Sequence, residues 1–268
     1  MSDITAESSA GVLRVELNRP ARKNAMTSAM YVNLAEIFNA AAQDDAIQVV
    51  LWHAAGDDFC AGNDIGDFLS HPPGPGASPQ AQLMEAFIAF DKPIVAAVQG
   101  AAIGGGTTML THCDVVYAGE GARFRTPFVD LALVPEFGSS FSLPARIGHL
   151  RTVELLLLGE TLPAARAAEV GLVTRVVPDK DLFATAQAAA QTLAAKPSGA
   201  LRASKRLIKQ AFLRPLKEAV THELQEFASR VRSAEAKEAL SAFLEKRPPN
   251  FARAAQAASA GQAAPARP

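Results

Sequence analysis

An α/β fold is predicted by three features of the sequence. Short runs rich in β-branched residues recur at 47–53 (IQVVLWH), 93–98 (PIVAAV), 114–119 (DVVYAG) and 172–177 (LVTRVV). They alternate with stretches of helical character, among them LRTVELLLLG and PAARAAEVG, whose closing Gly159 and Gly171 suit helix C′ positions. The third feature is a strand–glycine turn–helix unit, in which 93–98 leads through Gly100 into Gly104, Gly105 and Gly106. The runs at 47–53 and 93–98 are continuously apolar, the pattern of strands covered on both faces.

Taken in order, Leu13, Val15 and Leu17 alternate with Arg14 and Glu16, the period of a half-buried strand. After the turn-like NRPARKN, Thr27 can cap a helix that places Met30, Leu34, Ile37, Phe38 and Ala41 on one face. The segment 70–80 (SHPPGPGASPQ) concentrates Pro, Gly and Ser and reads as a mobile surface loop. Beyond Pro178 the chain reads as four helices: one to about Ala195, one after Pro197-Ser198, one from about Arg214 and one ending near Lys246. The tail has few large apolar groups to anchor it, so disorder is expected after about Ala252. The organisation is thus a core over 1–197, a helical region over 198–252 and a disordered tail over 253–268.

With 268 residues and 49% hydrophobic composition, the chain can bury one sizeable core. Lys+Arg number 26 against Asp+Glu 27, so neither a nucleic-acid stripe nor a polybasic membrane patch is expected. The first twenty residues lack a signal peptide's cationic and apolar regions, and no apolar run reaches membrane-spanning length, so a soluble, cytoplasmic protein is expected. Cys60 and Cys113, the two cysteines, read as buried free thiols. The five histidines form no pair at ligand spacing, so a cofactor metal is not expected.

The glycine turn GAAIGGG has neither the dinucleotide-binding spacing nor a following GK[ST]. A helix starting at Gly104–Gly106 presents unsatisfied N–H groups and a positive dipole end, and glycine admits a ligand close to the backbone. That suits an oxyanion; tight helix–sheet packing is the competing explanation. A second element is FCAGND (59–64), a loop after a buried strand that can turn the Asn63 N–H into a cleft.

The segments NRPARKNAM (18–26), DDFCAGNDI (57–65), KPIVAAVQGAAIGGG (92–106), CDVVYAGEGARF (113–124) and AARAAEVGLVTRVV (164–177) resemble, in this order, those of the crotonase superfamily, the enoyl-CoA hydratase/isomerase family. The resemblance spans about residues 10–252. It implies a crotonase-like spiral of repeated ββα units with a C-terminal helical trimerisation region, and homo-oligomers that are trimers or dimers of trimers. It also implies an acyl-CoA thioester substrate, coenzyme A being part of the substrate rather than a cofactor. The two backbone N–H groups that receive the thioester oxygen in this family match Asn63 and Gly105.

The resemblance further implies two catalytic glutamates in a hydratase, and here those places hold Thr108 and Phe128. Phe128 cannot transfer a proton, and a threonine hydroxyl is a poor base near neutral pH. Glu136, in TPFVDLALVPEFGSSFSLP (126–144), matches instead the catalytic glutamate of the peroxisomal type of Δ3,Δ2-enoyl-CoA isomerase through its P-E-x-x-S-S pattern. Phe128, Phe137 and Phe141 are the expected apolar surroundings that raise its pKa, while a solvated loop carboxylate is the competing reading. A hydratase or another lyase using Glu136 or Asp130, or a catalytically silent acyl-CoA-binding member, are the alternative functions.

For Asp64 and Asp130, loop capping or a structural hydrogen bond is expected. Ser139, Ser140 and Thr107 are expected to cap helices, and Thr108 to cap or to line the acyl pocket. Arg22 and Lys23 match a loop that contacts coenzyme A, Lys246 matches a position that reaches it from a neighbouring subunit, and Ala61, Gly62, Ile65 and Gly104 belong to the two segments beside the ligand. The variable segment 66–90 is the expected wall for the acyl group.

Overall fold

The computed structural model describes residues 2–72 and 78–254. A six-stranded sheet in the order β1-β2-β3-β4-β6-β9 carries the fold: β1 (Ile4–Ser9), β2 (Val12–Leu17), β3 (Val49–Ala54), β4 (Ile94–Val98), β6 (Val115–Gly119) and β9 (Arg175–Val177). β1 and β2 form an antiparallel hairpin, and every later pairing is parallel. A second sheet joins β5 (Ala101–Ile103), β7 (Arg123–Arg125) and β8 (Leu162–Pro163). Chain order therefore alternates between the sheets: β4 then β5 then a helix, β6 then β7 then helices. This is the repeated ββα unit expected of the sequence. β4 is buried at every position, in keeping with its uninterrupted apolar run.

Helices cover both faces of the large sheet. On one side lie α1 (Ser28–Gln43) and α3 (Pro79–Ala89); on the other, α8 (Leu182–Ala194) packs Leu182, Ala186 and Ala190 against Val49, Leu51, Val95 and Ala97. Thr27 caps α1, its Oγ1 accepting from the Met30 N–H at 3.3 Å. Met30, Leu34, Phe38 and Ala41 are buried as the spacing predicts, and Tyr31 and Ala35 join them. The shorter helices are α2 (Ile65–Ser70), α4 (Gly105–Thr108), α5 (Ser139–Ile147), α6 (His149–Leu156) and α7 (Ala164–Glu169).

The C-terminal region departs from expectation. One helix, α9 (Ser198–Arg230), replaces the two that were to break near Arg214, and runs through Pro215. Proline removes one helical hydrogen bond, but the carbonyl it leaves free is that of Ala211, an exposed residue where water can satisfy it. Buried polar contacts hold α9 to the core: the Lys205 ammonium donates to the Lys92 carbonyl at 2.6 Å and to Asp114 at 2.7 Å. After α10 (Ala234–Leu244) a last helical turn begins, Asn250 accepting from the Arg253 N–H at 3.0 Å and the Ala254 N–H at 3.2 Å. Arg253 and Ala254, the first two residues of the expected disordered tail, take part in this turn; the rest of that tail, 255–268, lies outside the described residues.

Three smaller differences have local causes. β1 went unread because four of its six residues are exposed and carry no apolar alternation. Leu172 and Val173 do not join β9; their N–H groups bond the Ala167 carbonyl and their side chains are buried. The surface loop at 70–80 is shorter than expected, since α2 takes Ser70 and α3 starts at Pro79; residues 73–77 lie outside the described residues.

The glycine turn is packed to contact. A Cβ on Gly106 would lie 2.6 Å from the Cys60 oxygen and 2.8 Å from the Cys60 Cβ. Gly106→Ala is expected to destabilise the protein by about 1–3 kcal/mol, read as a lower Tm, because backbone must shift to admit the methyl. Gly199→Ala, whose Cβ meets nothing within 4 Å, is expected to leave Tm unchanged or slightly raised; the opposite ranking would contradict the packing described.

Candidate active site

Two backbone segments are stitched together where the sheets meet. The Cys60 N–H bonds Ala101 O at 2.9 Å and Cys60 O accepts from the Ile103 N–H at 2.8 Å, which ties the loop after β3 to β5. Next to this, the Met26 N–H bonds Gly62 O and the Asp64 N–H bonds Met26 O, both at 2.8 Å. Strand-like alternation then turns the N–H of Asn63, between Gly62 and Asp64, to the opposite side. It donates to no acceptor among the described residues. Gly62 has φ +87°, and a Cβ there would lie 3.0 Å from Ile103 O, so glycine is required.

Gly104 (φ +55°, ψ −119°) makes the turn from β5 into α4, its own N–H bonding Arg125 O at 2.8 Å. Gly105 becomes the first residue of a helix, where an N–H has no intrahelical acceptor; it too has none among the described residues. α4 is only four residues long, so the N–H groups themselves, rather than a helix dipole, are what this end offers.

Glu136 reaches the same place from the opposite wall. The residues after it, Phe137 (φ +59°) and Gly138 (φ +69°), are both left-handed. The Phe137 carbonyl sits 2.8 Å from His112 Nε2. Burial lowers the His112 pKa to about 4, so the ring is neutral at physiological pH and Nε2–H is the donor. The Glu223 carboxylate, on α9, accepts from the Gly138 N–H at 2.6 Å and the Ser140 N–H at 2.7 Å. This is the helix cap at α5 that Ser139 and Ser140 were expected to give; neither hydroxyl provides it.

Glu136 is 6% exposed and its Oε1 has no hydrogen-bond partner. Burial first, and Glu223 second, raise its pKa to about 8. A Cβ built on Gly105 would lie 3.1 Å from this Oε1 and 3.2 Å from the Tyr31 hydroxyl. Tyr31, fully buried, donates to Asn63 Oδ1 at 2.8 Å, and burial followed by the nearby Glu136 raises its pKa well above the ordinary phenol value.

These groups border a cleft of about 370 Å³. Of the residues matched to catalysis or to substrate and coenzyme binding, Arg22, Ala61, Gly62, Asn63, Asp64, Ile65, Gly104, Gly105, Phe128 and Glu136 line it. Lys23, Thr108 and Lys246 do not. Lys23 is exposed and pairs with Asp58 at 3.3 Å. Thr108 is buried, its hydroxyl unpartnered, because α4 turns it into the core rather than the cleft. Lys246 is exposed beyond α10.

Further detail fills out the site. The Ala61 N–H donates to Lys23 O at 2.9 Å. Thr107 bonds Ala102 O at 2.5 Å rather than capping α4. Phe141 packs on Phe212 of α9, outside the cleft, while Phe137 is buried and Phe128 lines it. Among the described residues of segment 66–90, Gly66 and Phe68 reach the wall; Leu131 and Leu133, Phe227 on α9, and Leu240, Phe243 and Leu244 on α10 add apolar lining. Asp64 caps α2 and binds Arg19 at 2.7 Å, and Asp130 pairs with Arg125 at 2.9 Å, both structural roles. Among the described residues no cluster of His, Cys, Asp or Glu is placed to hold a metal, and no helix is long and apolar enough to cross a membrane.

Sequence reasoning missed Tyr31 and Glu223. Tyr31 had a signal, since Tyr31, Ala35 and Phe38 follow helical spacing on the buried face of α1. Glu223 had none, lying among charged residues of a long helix.

The raised pKa of Glu136 predicts a pH-dependent cost. Its folded-state value of about 8 exceeds the ordinary 4.5, so the unfolded chain releases a proton that the folded chain holds. Stability from this group is intact below pH 4.5 and lost progressively as pH rises to about 8. Glu136→Gln should therefore match wild type near pH 4 and exceed it at pH 9 by on the order of 5 kcal/mol in denaturant unfolding. A gap that shrinks as pH rises would contradict the assignment.

Comparison with known proteins gives the family. Residues 7–254 match the family model described as enoyl-CoA hydratase/isomerase. The chain is 37% identical over 248 residues to 1,2-epoxyphenylacetyl-CoA isomerase of Escherichia coli (strain K12), covering 90% of this chain and 95% of that one. It is 34% identical over 251 residues to enoyl-CoA delta isomerase 2 of Rattus norvegicus, covering 91% of this chain and 64% of the relative. The crystal structure of an enoyl-CoA hydratase/isomerase from Pseudoalteromonas atlantica T6c superposes with a TM-score of 0.89 at 40% identity, over 93% of this chain and all of that one. The chain belongs to the enoyl-CoA hydratase/isomerase family, within the crotonase superfamily.

Proposed function

We propose that this enzyme is a Δ3,Δ2-enoyl-CoA isomerase with Glu136 as its single base. The observation that carries this reading is that Glu136 is the buried titratable side chain of the cleft, with a free oxygen, while the places of a hydratase's two glutamates hold a core-facing Thr108 and an apolar Phe128. Glu136 removes a proton from C2 of a 3-enoyl-CoA. The electrons pass to the thioester oxygen, which rests on the N–H groups of Asn63 and Gly105 as a dienolate. Glu136 then returns the proton at C4, leaving the double bond between C2 and C3, so atoms and charge balance without water or metal. A base with a pKa near 8 is matched to this work, and each backbone donor stabilises the dienolate by on the order of 3 kcal/mol.

The coenzyme runs past Arg22 at the cleft mouth and beside 61–65 in this reading. Copies of the chain associate as trimers through the exposed apolar residues of α9, Leu207, Ile208 and Phe212, with Lys246 reaching a neighbour's coenzyme. A second reading, isomerisation of a ring-bearing acyl-CoA by the same base, is favoured by the phenyl rings of Phe68, Phe128, Phe227 and Phe243 in the cleft and by the 37% identity to 1,2-epoxyphenylacetyl-CoA isomerase.

Purified enzyme offered 3-enoyl-CoA should produce the 2-enoyl isomer faster than it hydrates 2-enoyl-CoA. Glu136→Gln should lose at least a thousandfold in kcat with CoA binding nearly intact, and Gly105→Val should lose a hundredfold or more as its side chain meets Glu136 and Tyr31. Faster hydration than isomerisation, or retained kcat in Glu136→Gln, would reject the proposal. Turnover of a ring-bearing acyl-CoA in preference to linear substrates would select the second reading.

A further inference from the structure

The base of the proposed reaction sits on a turn with one local closing bond, from the Ser139 N–H to the Glu136 carbonyl at 3.2 Å. Phe137 and Gly138 are consecutive left-handed residues, and for phenylalanine that conformation costs on the order of 1 kcal/mol. Gly138 and Ser140 present their N–H groups to one side chain, Glu223, which comes from α9, more than eighty residues away in sequence. Glu223 is 6% exposed, and neither it nor Glu136 forms an ion pair among the described residues. Both carboxylates border the same small cavity of about 20 Å³ beside Gln80.

We propose that Glu223 is a positioning residue for Glu136: it locks the turn that aims the base and faces the base with a second carboxylate. The two jobs have separate physical origins. Two charge-assisted N–H bonds fix the backbone on either side of Ser139. Those same donors favour the ionised form of Glu223, whereas Glu136 Oε1 has no donor at all. When the pair holds one proton, the proton therefore resides on Glu136.

The other groups facing Glu136 do not relieve this. Tyr31 on α1 and Cys60 in the loop are buried, and burial raises both pKa values, so both are neutral at pH 8. His112, also neutral, addresses the Phe137 carbonyl and not the carboxyl. Burial raises the Glu223 pKa as well, opposed in part by the Ser140 side chain and by the Ser140 and Gly138 N–H groups. Glu223 is thus the charge whose removal would make Glu136 a weaker base.

The inference rests on Glu136 being the base, so its first test is read without substrate. Infrared difference spectra over a pH titration follow the Glu136 carboxyl, identified as the band missing in Glu136→Gln. In Glu223→Gln, which keeps the volume and one acceptor oxygen but not the charge, the band should titrate lower by on the order of one pH unit. Glu223→Ala, which also frees the turn, should lose tenfold or more in kcat for the enzyme's acyl-CoA substrate with KM within about twofold. If Glu223→Ala does not fold, the Glu223→Gln titration decides alone. An unmoved Glu136 band, or unchanged kcat in a folded Glu223→Ala, overturns the proposal. A shifted band in an enzyme that leaves 3-enoyl-CoA unchanged keeps this inference and rejects the isomerase reading instead.

Discussion

Taking a carboxyl oxygen out of water without giving it a hydrogen-bond donor costs about 1–3 kcal/mol, and more once the group is charged. Glu136 is kept in that condition: its Oε1 is unpartnered and sits at the bare Cα of Gly105. Locally one bond closes the turn, Ser139 N–H to Glu136 O at 3.2 Å, around residues Phe137 and Gly138 that are both left-handed. Further restraint comes from distant elements. His112, following α4, binds the Phe137 carbonyl, and Glu223 on α9 binds the N–H groups that follow. The long C-terminal helix is in this sense part of the site, although its own sequence carries no mark of chemistry.

The facing wall obeys the same constraint with glycine. For two free N–H groups and a carboxylate to share one small volume, no side chain can intervene, and Gly62, Gly104 and Gly105 meet that condition at positions where a Cβ or a positive φ would be costly. Tyr31 completes the wall by fixing the Asn63 side chain from the buried face of α1. The hydrophobic core stands behind both walls: Phe38, Phe87, Trp52 and Phe59 form edge-to-face or tilted contacts under the stitched loops. A rigid core below and a locked turn opposite give a cleft whose geometry is set before any ligand enters.

Much of this was readable from the chain because it is local. The buried strands showed as uninterrupted apolar runs, the cap at Thr27 as a residue type before a periodic stretch, and the paired loops as motifs in a fixed order. Glu136 was readable by resemblance, and Thr108 and Phe128 by what they could not do. What could not be read depends on contacts distant in sequence. The direction Thr108 faces is set by how α4 turns, and Glu223 is buried only because α9 crosses over α5. The continuity of α9 through Pro215 was misjudged because the freed Ala211 carbonyl lies where water can reach it, a matter of burial and not of sequence. The cleft's outer wall, Phe227, Leu240 and Phe243, belongs to a region that the resemblance assigned to trimerisation.

The central claim is geometric: one thioester oxygen on two backbone N–H groups, with Glu136 beside C2. A crystal structure of Glu136→Gln soaked with a 3-enoyl-CoA tests it directly, since the variant keeps the shape and cannot turn the substrate over. The account predicts the thioester oxygen within hydrogen-bonding distance of both the Asn63 and Gly105 nitrogens, and residue 136 as the polar side chain nearest C2 and C4. A thioester oxygen turned away from either nitrogen, or another acid nearer C2, would contradict it.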